Sequence, residues 1–156
     1  MNATTLSDRP MRVAVIDDDS IDQQVVTRAF RKLECEHVID TASNGEDGLE
    51  LLRRWAIEAP DIPFVVLLDL RMPRMDGFEF LEHVRRDPDL RNSVIFVYTT
   101  STLEDDRDRA YGFNVAGYIV KPQNGAEVRK VAELIERYRT TVSLPIRRRN
   151  DGRPAT

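Results

Sequence analysis

Five residues of reactive types stand directly after short apolar segments of the chain. Three are the carboxylates of Asp17, Asp18 and Asp69, and the others are the hydroxyl of Thr99 and the ammonium of Lys121. Carboxylates brought together repel one another and need a cation, and oxygen ligands without histidine or cysteine favour Mg²⁺. Carboxylate, metal, hydroxyl and ammonium suit a phosphoryl group, whose oxygens each need a positive or donor partner. We therefore expect Asp69 to be a nucleophile that forms an aspartyl phosphate.

The segment around Asp69 carries the strongest local pattern. An unbroken apolar run precedes it at residues 64–68, which is typical of a parallel strand covered on both faces. Pro73 and Gly77 break the chain on either side of Asp76, which predicts a turn ahead of a new helix. Ligands of open α/β sheets bind beyond the carboxyl ends of such strands, where Asp69 is expected to lie.

Apolar and amphipathic segments alternate along the chain, which indicates five β-strands and five α-helices. Strands are predicted at 12–16, 37–42, 64–68, 93–98 and 116–120. Helices are predicted from 20 to about 33, after Asn44 and Gly45, after Gly77 as far as Asp87 and Pro88, at 103–113, and from 123 to about 140. Ser20 with Gln23 has the pattern of a capping box for the first helix, and Thr102 is the expected cap of the fourth.

This alternation predicts an α/β fold of the flavodoxin-like, doubly wound type. Right-handed connections give a five-stranded parallel sheet with helices on both faces. In the strand order 2-1-3-4-5, the switch point lies between the first and third strands, and Asp17, Asp18 and Asp69 should converge there. No other group of carboxylates in the sequence has this property.

Length and composition predict one domain with a tail. The chain has 156 residues, 41% of them hydrophobic, which is enough for one core and too little for two full domains. We expect a flexible N-terminus at 1–10, the domain at 11–140, and an extension with a basic tail at 141–156. The net charge of the whole chain is −4, of which the tail carries +3 and residues 1–140 carry −7. An acidic body argues against nucleic acid as the main partner.

The sequence also indicates a cytoplasmic protein. Its single cysteine, Cys35, excludes an internal disulfide and fits a reducing compartment. The first ten residues lack the apolar core of a secretory signal. No apolar stretch approaches the roughly 20 residues of a membrane helix, so we expect no membrane contact.

With these motifs in place, the chain resembles a response-regulator receiver domain of two-component signalling. The resemblance covers roughly residues 11–140. Its motifs are specific in combination: Val-Ile-Asp17-Asp18, Leu-Asp69-Leu-Arg-Met-Pro73 through Asp76-Gly77, Thr99 placed 22 residues ahead of the lysine, and Tyr118-Ile-Val-Lys121-Pro122.

The resemblance implies that Asp69 accepts phosphate from the phosphohistidine of a sensor histidine kinase. It further implies that Asp18 and Asp69 bind Mg²⁺ together with the backbone carbonyl of Arg71, and that Asp17 acts through a metal-bound water. The chain would then be a phosphoacceptor signalling protein that catalyses only its own phosphorylation and dephosphorylation.

The same resemblance assigns the switch. Thr99 and Lys121 would contact the phosphoryl oxygens, and Tyr118 would turn inward when Thr99 moves toward the phosphate. The fourth strand, fourth helix and fifth strand would shift between two packings. In the family the bond between Lys121 and Pro122 is cis.

The C-terminal segment bears on output. The roughly 16 residues after the domain cannot form a helix-turn-helix, so signalling is expected through protein contacts. Residues 138–145 resemble the extension of stand-alone regulators paired with phytochrome-type kinases, in which the extension contributes to a dimer, so we expect a homodimer. The arginines at 147–149 are interpreted as a disordered solubilising tail. His37 and His83 are expected to be exposed or half-packed, without a partner that would make either a base or a ligand.

Some positions depart from the family pattern, and two alternatives stay open. Thr100 stands where many relatives carry Ala or Gly and is expected to narrow access to the phosphoryl group, and Gln123 replaces the common Phe. Arg71 places a long cation where side chains of relatives influence the attack of water and hence the lifetime of the phosphoryl group. One alternative is a haloacid-dehalogenase-like phosphatase with Asp17 as nucleophile and Asp19 as the second acid of its motif. The other is a degenerate receiver that binds partners without phosphorylation.

Overall fold

The computed structural model describes residues 10–34 and 36–147. The flexible N-terminus expected at 1–10 lies outside these residues except for Pro10, as do Cys35 and the tail from Arg148 onward. The strands are β1 Arg12–Ile16, β2 Val38–Ala42, β3 Phe64–Leu68, β4 Val94–Thr99 and β5 Gly117–Val120. The helices are α1 Ser20–Arg31, α2 Gly45–Glu58, α3 Gly77–Arg86, α4 Glu104–Gly112 and α5 Gly125–Thr141.

The five strands form one parallel sheet in the order β2-β1-β3-β4-β5. This confirms the predicted doubly wound, flavodoxin-like fold. The strands β1 and β3 are paired over their whole length, and the last pair joins Ile16 to Leu68. The residues that follow, Asp17 and Asp69, therefore leave the sheet at the same level.

Both faces of the sheet are covered, and each has its own core. Alternate residues of β3 explain why its apolar run is unbroken: Val66 and Leu68 belong to the core under α2, α3 and α4, whereas Val65 and Leu67 belong to the core under α1 and α5. All five residues of β3 are buried. Each large apolar side chain buried in this way stabilises the fold by about 1.5–3 kcal/mol.

The predicted helix caps are partly wrong. Asp19, not Ser20, caps α1, and its carboxylate accepts hydrogen bonds from the amides of Ile21 and Asp22. A carboxylate favours the positive end of a helix, which explains why Asp19 takes this place from the neighbouring serine. The Gln23 side chain, expected to complete a capping box, instead donates to the carbonyl oxygens of Asp17 and Ala42.

The start of α4 also differs from the prediction, because Thr102 is not its cap. The capping position is held by Leu103, which makes no side-chain cap hydrogen bond. The hydroxyl of Ser101 takes over part of this task and accepts a hydrogen bond from the Leu103 amide at 3.3 Å.

Three further expectations are corrected at the ends of strands and in the tail. The Lys121–Pro122 bond is trans, as are all described peptide bonds, and trans is the form that X–Pro bonds favour by about 0.5–1 kcal/mol. His37 is half-buried as expected, but its side chain is only 4% exposed and, against the expectation, has partners on both ring nitrogens, the Met11 amide and the Glu136 carboxylate. Histidine can satisfy a donor and an acceptor at once, which suits a buried place between two elements.

Arg147 is packed against the domain and is not part of a disordered tail. Its backbone amide donates to the Pro60 carbonyl at 2.8 Å, and its guanidinium donates to the Asp89 carbonyl and to the Ser93 hydroxyl. The guanidinium also lies 4.0 Å from the centre of the Phe64 ring. Cation–π contact and several donors together account for the ordered place of this residue. Among the described residues, none of the helices is long and apolar enough to span a membrane.

Candidate functional site

The carboxyl end of the sheet brings three of the predicted site residues together. The Asp17 amide donates to the Ala42 carbonyl at 2.9 Å, and the Asp69 amide donates to the Ile16 carbonyl at 2.9 Å, so both residues continue the strand pairing by one step. Asp17, Asp18 and Asp69 each place a carboxylate oxygen within 4.8 Å of the others. The convergence expected from the strand order is therefore present in the structure.

Lys121 carries the cation of this cluster. Its Nζ lies 2.7 Å from Asp17 Oδ2, 2.8 Å from Asp22 Oδ2 and 3.1 Å from Asp69 Oδ2. Its side chain is only 8% exposed. Burial by itself lowers the pKa of Lys121, but the contacts with Asp17 and Asp22 outweigh it and raise the pKa above that of an ordinary lysine. The lysine is therefore charged throughout the physiological range.

Asp17 is the most perturbed carboxylate of the cluster. Burial raises the pKa of Asp17 to about 6, although Lys121 and the Asp19 amide, which donates to Asp17 Oδ1 at 2.9 Å, act in the opposite direction. Its buried Oδ2 touches Lys121 as an ion pair but accepts no well-directed hydrogen bond from the described residues. A buried oxygen without a directed donor is an incompletely satisfied acceptor.

These features fit a divalent cation. Three carboxylates, with Asp22 beside them, face a single ammonium, so the cluster keeps a negative excess that another cation would neutralise. The described groups are all oxygen ligands, and Asp18 is exposed, which leaves the cluster open to solvent on one side. Mg²⁺ prefers this kind of site, with a few carboxylates and room for waters.

The Asp69 carboxylate is fixed by the backbone that follows it and by Lys121. Its Oδ1 accepts the Leu70 amide at 2.7 Å, while Oδ2 accepts Lys121 Nζ at 3.1 Å. Gly77 closes the loop behind it: a Cβ at this position would lie 2.4 Å from the Asp69 carbonyl oxygen. Glycine is required here because any side chain would push the loop away from Asp69. The Gly77 predicted from the turn pattern therefore has a steric role at the site.

Thr99 ends β4, and Lys121 directly follows the neighbouring strand β5. Thr99 is completely buried at the end of β4, and its hydroxyl oxygen accepts the Ser101 amide at 3.4 Å. The Thr99 carbonyl accepts the backbone amide of Lys121 at 2.8 Å. The two residues expected to contact the phosphoryl oxygens are thus tied to each other through the backbone.

Arg71 points its side chain toward α4. Its Nη2 donates to Asp106 Oδ2 at 2.8 Å, and the Ser101 hydroxyl donates to the same oxygen at 2.6 Å. Tyr118 joins this group because its hydroxyl donates to the Ser101 carbonyl at 2.9 Å. The side chains at the loop after β3, the loop after β4 and strand β5 are therefore connected by hydrogen bonds.

Sequence reasoning missed two acidic residues of this region. Asp22 and Asp106 both stand in the first turn of a helix, where an acidic residue is ordinary because of the helix dipole. Asp106 is nevertheless buried, and Asp22 contacts Lys121. Only the relative placement of α1 and α4 on the sheet reveals these contacts, so no signal within the sequence could have separated the two residues from other helix-start acids.

The phosphatase alternative finds no support in the geometry. Asp19, which it needs as the second acid of its motif, uses its carboxylate to cap α1. Within the part of the chain that the structure describes, the group of acids able to hold a metal is Asp17, Asp18 and Asp69, without an acidic pair from the chain after Lys121.

Comparison with known sequences gives an independent result. Residues 13–133 match the protein family described as response regulator receiver domain. The methanogen protein described as probable methanogenesis regulatory protein FilR2, from Methanothrix harundinacea, is 33% identical over 129 residues, which cover 83% of each chain. Response regulator Rcp1 of Synechocystis is 29% identical over 141 residues, covering 89% of this chain and 96% of Rcp1.

Solved structures agree with the sequence comparison. The phosphorylated cyanobacterial phytochrome response regulator RcpA superposes with a TM-score of 0.79 at 28% identity, covering 88% of this chain and 99% of RcpA. The Mn²⁺-bound form of Rcp1 gives a TM-score of 0.74 at 29% identity, covering 87% of this chain and 99% of that one.

Proposed function

The chain belongs to the response regulator receiver family, and on that premise we propose that it accepts a phosphoryl group on Asp69 from the phosphohistidine of a sensor histidine kinase. The observation that carries the proposal is the contact of Asp69 with Lys121 inside a cluster of three carboxylates at the sheet switch point. Phosphoryl transfer to a carboxylate needs a buried cation on one side of the carboxylate and an open pocket for a metal ion on the other. Asp69 has both, with Lys121 as the cation.

The proposed reaction is a displacement at phosphorus. An Asp69 carboxylate oxygen attacks the phosphorus of the phosphohistidine, an O–P bond forms, and the P–N bond breaks. The electron pair of that bond stays on the imidazole nitrogen of the kinase, and one proton taken up from solvent by the ring lets the histidine leave as neutral imidazole. The product is an acyl phosphate on Asp69, and later attack by water would return the free carboxylate and inorganic phosphate.

We assign the metal to Asp18, Asp69 and the Arg71 backbone carbonyl, with Asp17 acting through a water. When bound, Mg²⁺ supplies positive charge to the oxygens of the transferring group. That a relative, Rcp1, has been solved with Mn²⁺ bound supports a divalent ion of this size. The residues of this chain supply the remaining interactions.

Lys121 and Thr99 would receive the phosphoryl oxygens. Lys121 already touches Asp69 Oδ2, so its ammonium is placed to pair with the added charge. The Thr99 hydroxyl would donate a hydrogen bond to a phosphoryl oxygen. Movement of Thr99 would also displace Lys121 and Ser101, because the backbone amides of both residues are hydrogen-bonded to it. Tyr118, bound to the Ser101 carbonyl, would respond to that movement and change the surface formed by β4, α4 and β5.

The test of this assignment is transfer of label. Wild-type protein with Mg²⁺ and a phosphorylated histidine kinase is expected to take up acid-labile label on Asp69, and Asp69→Asn is expected to take up none. Peptide mapping separates the alternatives, because a hydrolase of the kind considered above would carry label on Asp17. Glu46→Gln, which changes an exposed carboxylate in the first turn of α2, is the control and should label as the wild type.

The partner, compartment and output follow from the same proposal. We place the chain with a phytochrome-type kinase because RcpA, to which it is similar, is described as a phytochrome response regulator. A kinase of this class forms its phosphohistidine from ATP, so the chain would act in the cytoplasm. Output would pass through protein contacts, since the body of the chain is acidic and unsuited to nucleic acid.

We further propose a homodimer in which residues 138–145 take part. Val142 and Ile146 keep exposed apolar side chains next to α5, which supports a contact in this region. Sedimentation of the wild type should give a dimer, and Val142→Asp should shift it toward the monomer. A monomeric wild type at micromolar concentration, with and without phosphorylation, would contradict the proposed dimer.

A further inference from the structure

Lys121 has a carboxylate partner outside the predicted phosphoacceptor site. Asp22 lies in the first turn of α1 and places Oδ2 2.8 Å from Lys121 Nζ. It does not belong to the group of three acids whose oxygens come within 4.8 Å of one another. Asp22 therefore contacts the cation of the site without sharing the place expected for the metal.

Resting on the proposed function, we propose that Asp22 is a positioning residue, which holds the ammonium of Lys121 beside Asp69 while the phosphoryl group is transferred. It acts through the lysine and does not itself contact the reacting atoms.

The reason lies in the different tasks of the three carboxylates that contact Lys121. Asp17 and Asp69 both have other tasks in the reaction, one toward the metal and one toward phosphorus, so neither can hold the lysine unchanged. Asp22 has no such task. A lysine side chain that is free at its end samples many rotamers, and restricting it costs conformational entropy. If the ammonium is already fixed before the reaction, the transfer step does not bear this entropic cost.

The surroundings of Asp22 fix its own position. Its backbone amide donates to the carboxylate of Asp19, the cap of α1, at 3.3 Å. On the inner side, Lys121 Nζ lies 5.7 Å from the centre of the Tyr98 ring. Burial raises the pKa of Tyr98 to about 12, and the nearby negative charge of Asp22 adds to this rise.

Asp22 also brings negative charge near an incoming anion, which opposes its positioning role. Its side chain is 35% exposed, so water and salt screen the repulsion over the longer distance to the phosphoryl group. Its contact with Lys121 is direct and is less affected by screening. We therefore expect the positioning effect to exceed the repulsion.

A double-mutant cycle tests the proposal on the full chain. Labelling of Asp69 is timed with Mg²⁺ and a small phosphoramidate donor, which removes any contribution from kinase docking. Asp22→Asn is expected to label about three- to tenfold more slowly than the wild type, which lies at the lower end of the coupling observed between contacting residues. In a Lys121→Ala background, the same substitution should have no further effect, because the residue through which Asp22 acts is gone.

Asp47→Asn is the matched control. Asp47 is the third residue of α2, as Asp22 is the third residue of α1, and its carboxylate accepts from the Asn44 side chain, away from Lys121. Asp47→Asn removes the same charge from the same helix position, and this variant should be labelled at the wild-type rate. Asp22→Glu, which keeps the charge, is expected to label faster than Asp22→Asn.

Other results would overturn the proposal. Unchanged or faster labelling of Asp22→Asn would show that repulsion dominates or that the contact has no role. An equal loss in both lysine backgrounds would indicate a merely structural effect of Asp22, and equal rates for Asp22→Glu and Asp22→Asn would show that its charge is irrelevant. Failure of the proposed function itself would look different, because wild-type protein would then take up no label on Asp69.

Discussion

At the scale of single residues, the site is a balance of one buried cation against several acids. Lys121 contacts Asp17, Asp22 and Asp69 at once, and Asp17 keeps a buried oxygen without a directed hydrogen bond. Several carboxylates around one buried ammonium leave an excess of negative charge, which destabilises a folded protein unless a further cation compensates it. The arrangement of the acids therefore supports the proposed site for a cation and a phosphoryl group.

Lys121→Ala tests the role of the lysine in the switch. We expect Asp69 to be labelled still, because the nucleophile and the metal ligands remain, while the conformational response is lost with the cation that links the phosphoryl group to β5. Labelling and phosphorylation-dependent sedimentation are measured on the same samples. Lys130→Ala, which removes an exposed lysine of α5, is the control. A normal response in Lys121→Ala would contradict this role.

The placement of the predicted site residues at one edge of the sheet could be predicted because strand ends are visible in sequence. Asp17, Asp69, Thr99 and Lys121 each follow an apolar segment, and the fold brings such positions together. Asp22 was not predictable in this way because it lies within a helix, and its contact depends on the distance between α1 and the end of β5. A single sequence contains no information on that distance.

At the scale of elements, α4 is held by polar contacts more than by its own amphipathicity. Only Asp106 and Ala110 of this helix are buried, and Asp106 binds Arg71 and Ser101. A helix with few buried apolar residues gains little from packing, so it opens more easily than its neighbours. The contacts of Asp106 thus connect the stability of α4 to the loop that follows Asp69.

We expect Asp106→Asn to loosen α4. Loss of the charge weakens two hydrogen bonds of a buried carboxylate, and about 1 kcal/mol of local stability corresponds to roughly fivefold faster amide hydrogen exchange. Exchange is followed for residues 104–112 with and without phosphorylation. The exposed neighbour Asp105 provides the control substitution, Asp105→Asn, which should leave the exchange unchanged. Equal exchange in both variants would show that Asp106 does not hold the helix.

The elements themselves were largely predictable. All ten were expected in the right order, and β1 and β3 have the predicted bounds, because an unbroken apolar run ends clearly at a charged residue. The caps were less predictable. Ser20 and Thr102 are suitable capping types, but Asp19 and the Ser101 hydroxyl lie closer to the free amides. Such competition between neighbouring polar residues is decided by backbone geometry.

At the scale of the whole molecule, the end of the sheet opposite the site is tied by a second charged group. Glu136 of α5 is bound by Arg139 and by His37, whose ring also accepts the Met11 amide at the start of the sheet. Arg147 closes the same end by binding near Pro60, Asp89 and Ser93. The sequence offered no sign of either arrangement, because their members are distant in the chain.

The acid stability of the protein should report on Glu136. The Arg139 contact, with help from His37 and against burial, lowers the pKa of Glu136 to about 2 from 4.5. Because the folded-state pKa is depressed, the contribution of Glu136 to the free energy of unfolding is full above pH 4.5 and is lost as the pH falls from about 4.5 toward 2. Since the side chain is 21% exposed and solvent screens its contacts in part, we expect this contribution to be about 2 kcal/mol.

Urea unfolding between pH 2.5 and 6 measures this contribution. Glu136→Gln should be less stable than the wild type at pH 6, and the difference should shrink as the pH approaches 2.5. Glu133→Gln on the same helix, whose ion pair with Arg129 is exposed, should follow the wild-type curve closely. A constant difference across the pH range would show that the ionisation of Glu136 is not involved.

The most direct test of the account is the position of the label after phosphoryl transfer. Wild-type protein incubated with Mg²⁺ and a phosphorylated histidine kinase should carry one acid-labile phosphoryl group, mapped to Asp69, and chelation of the metal should abolish its formation. Label that persists in Asp69→Asn, or that maps to Asp17 in the wild type, would contradict the account.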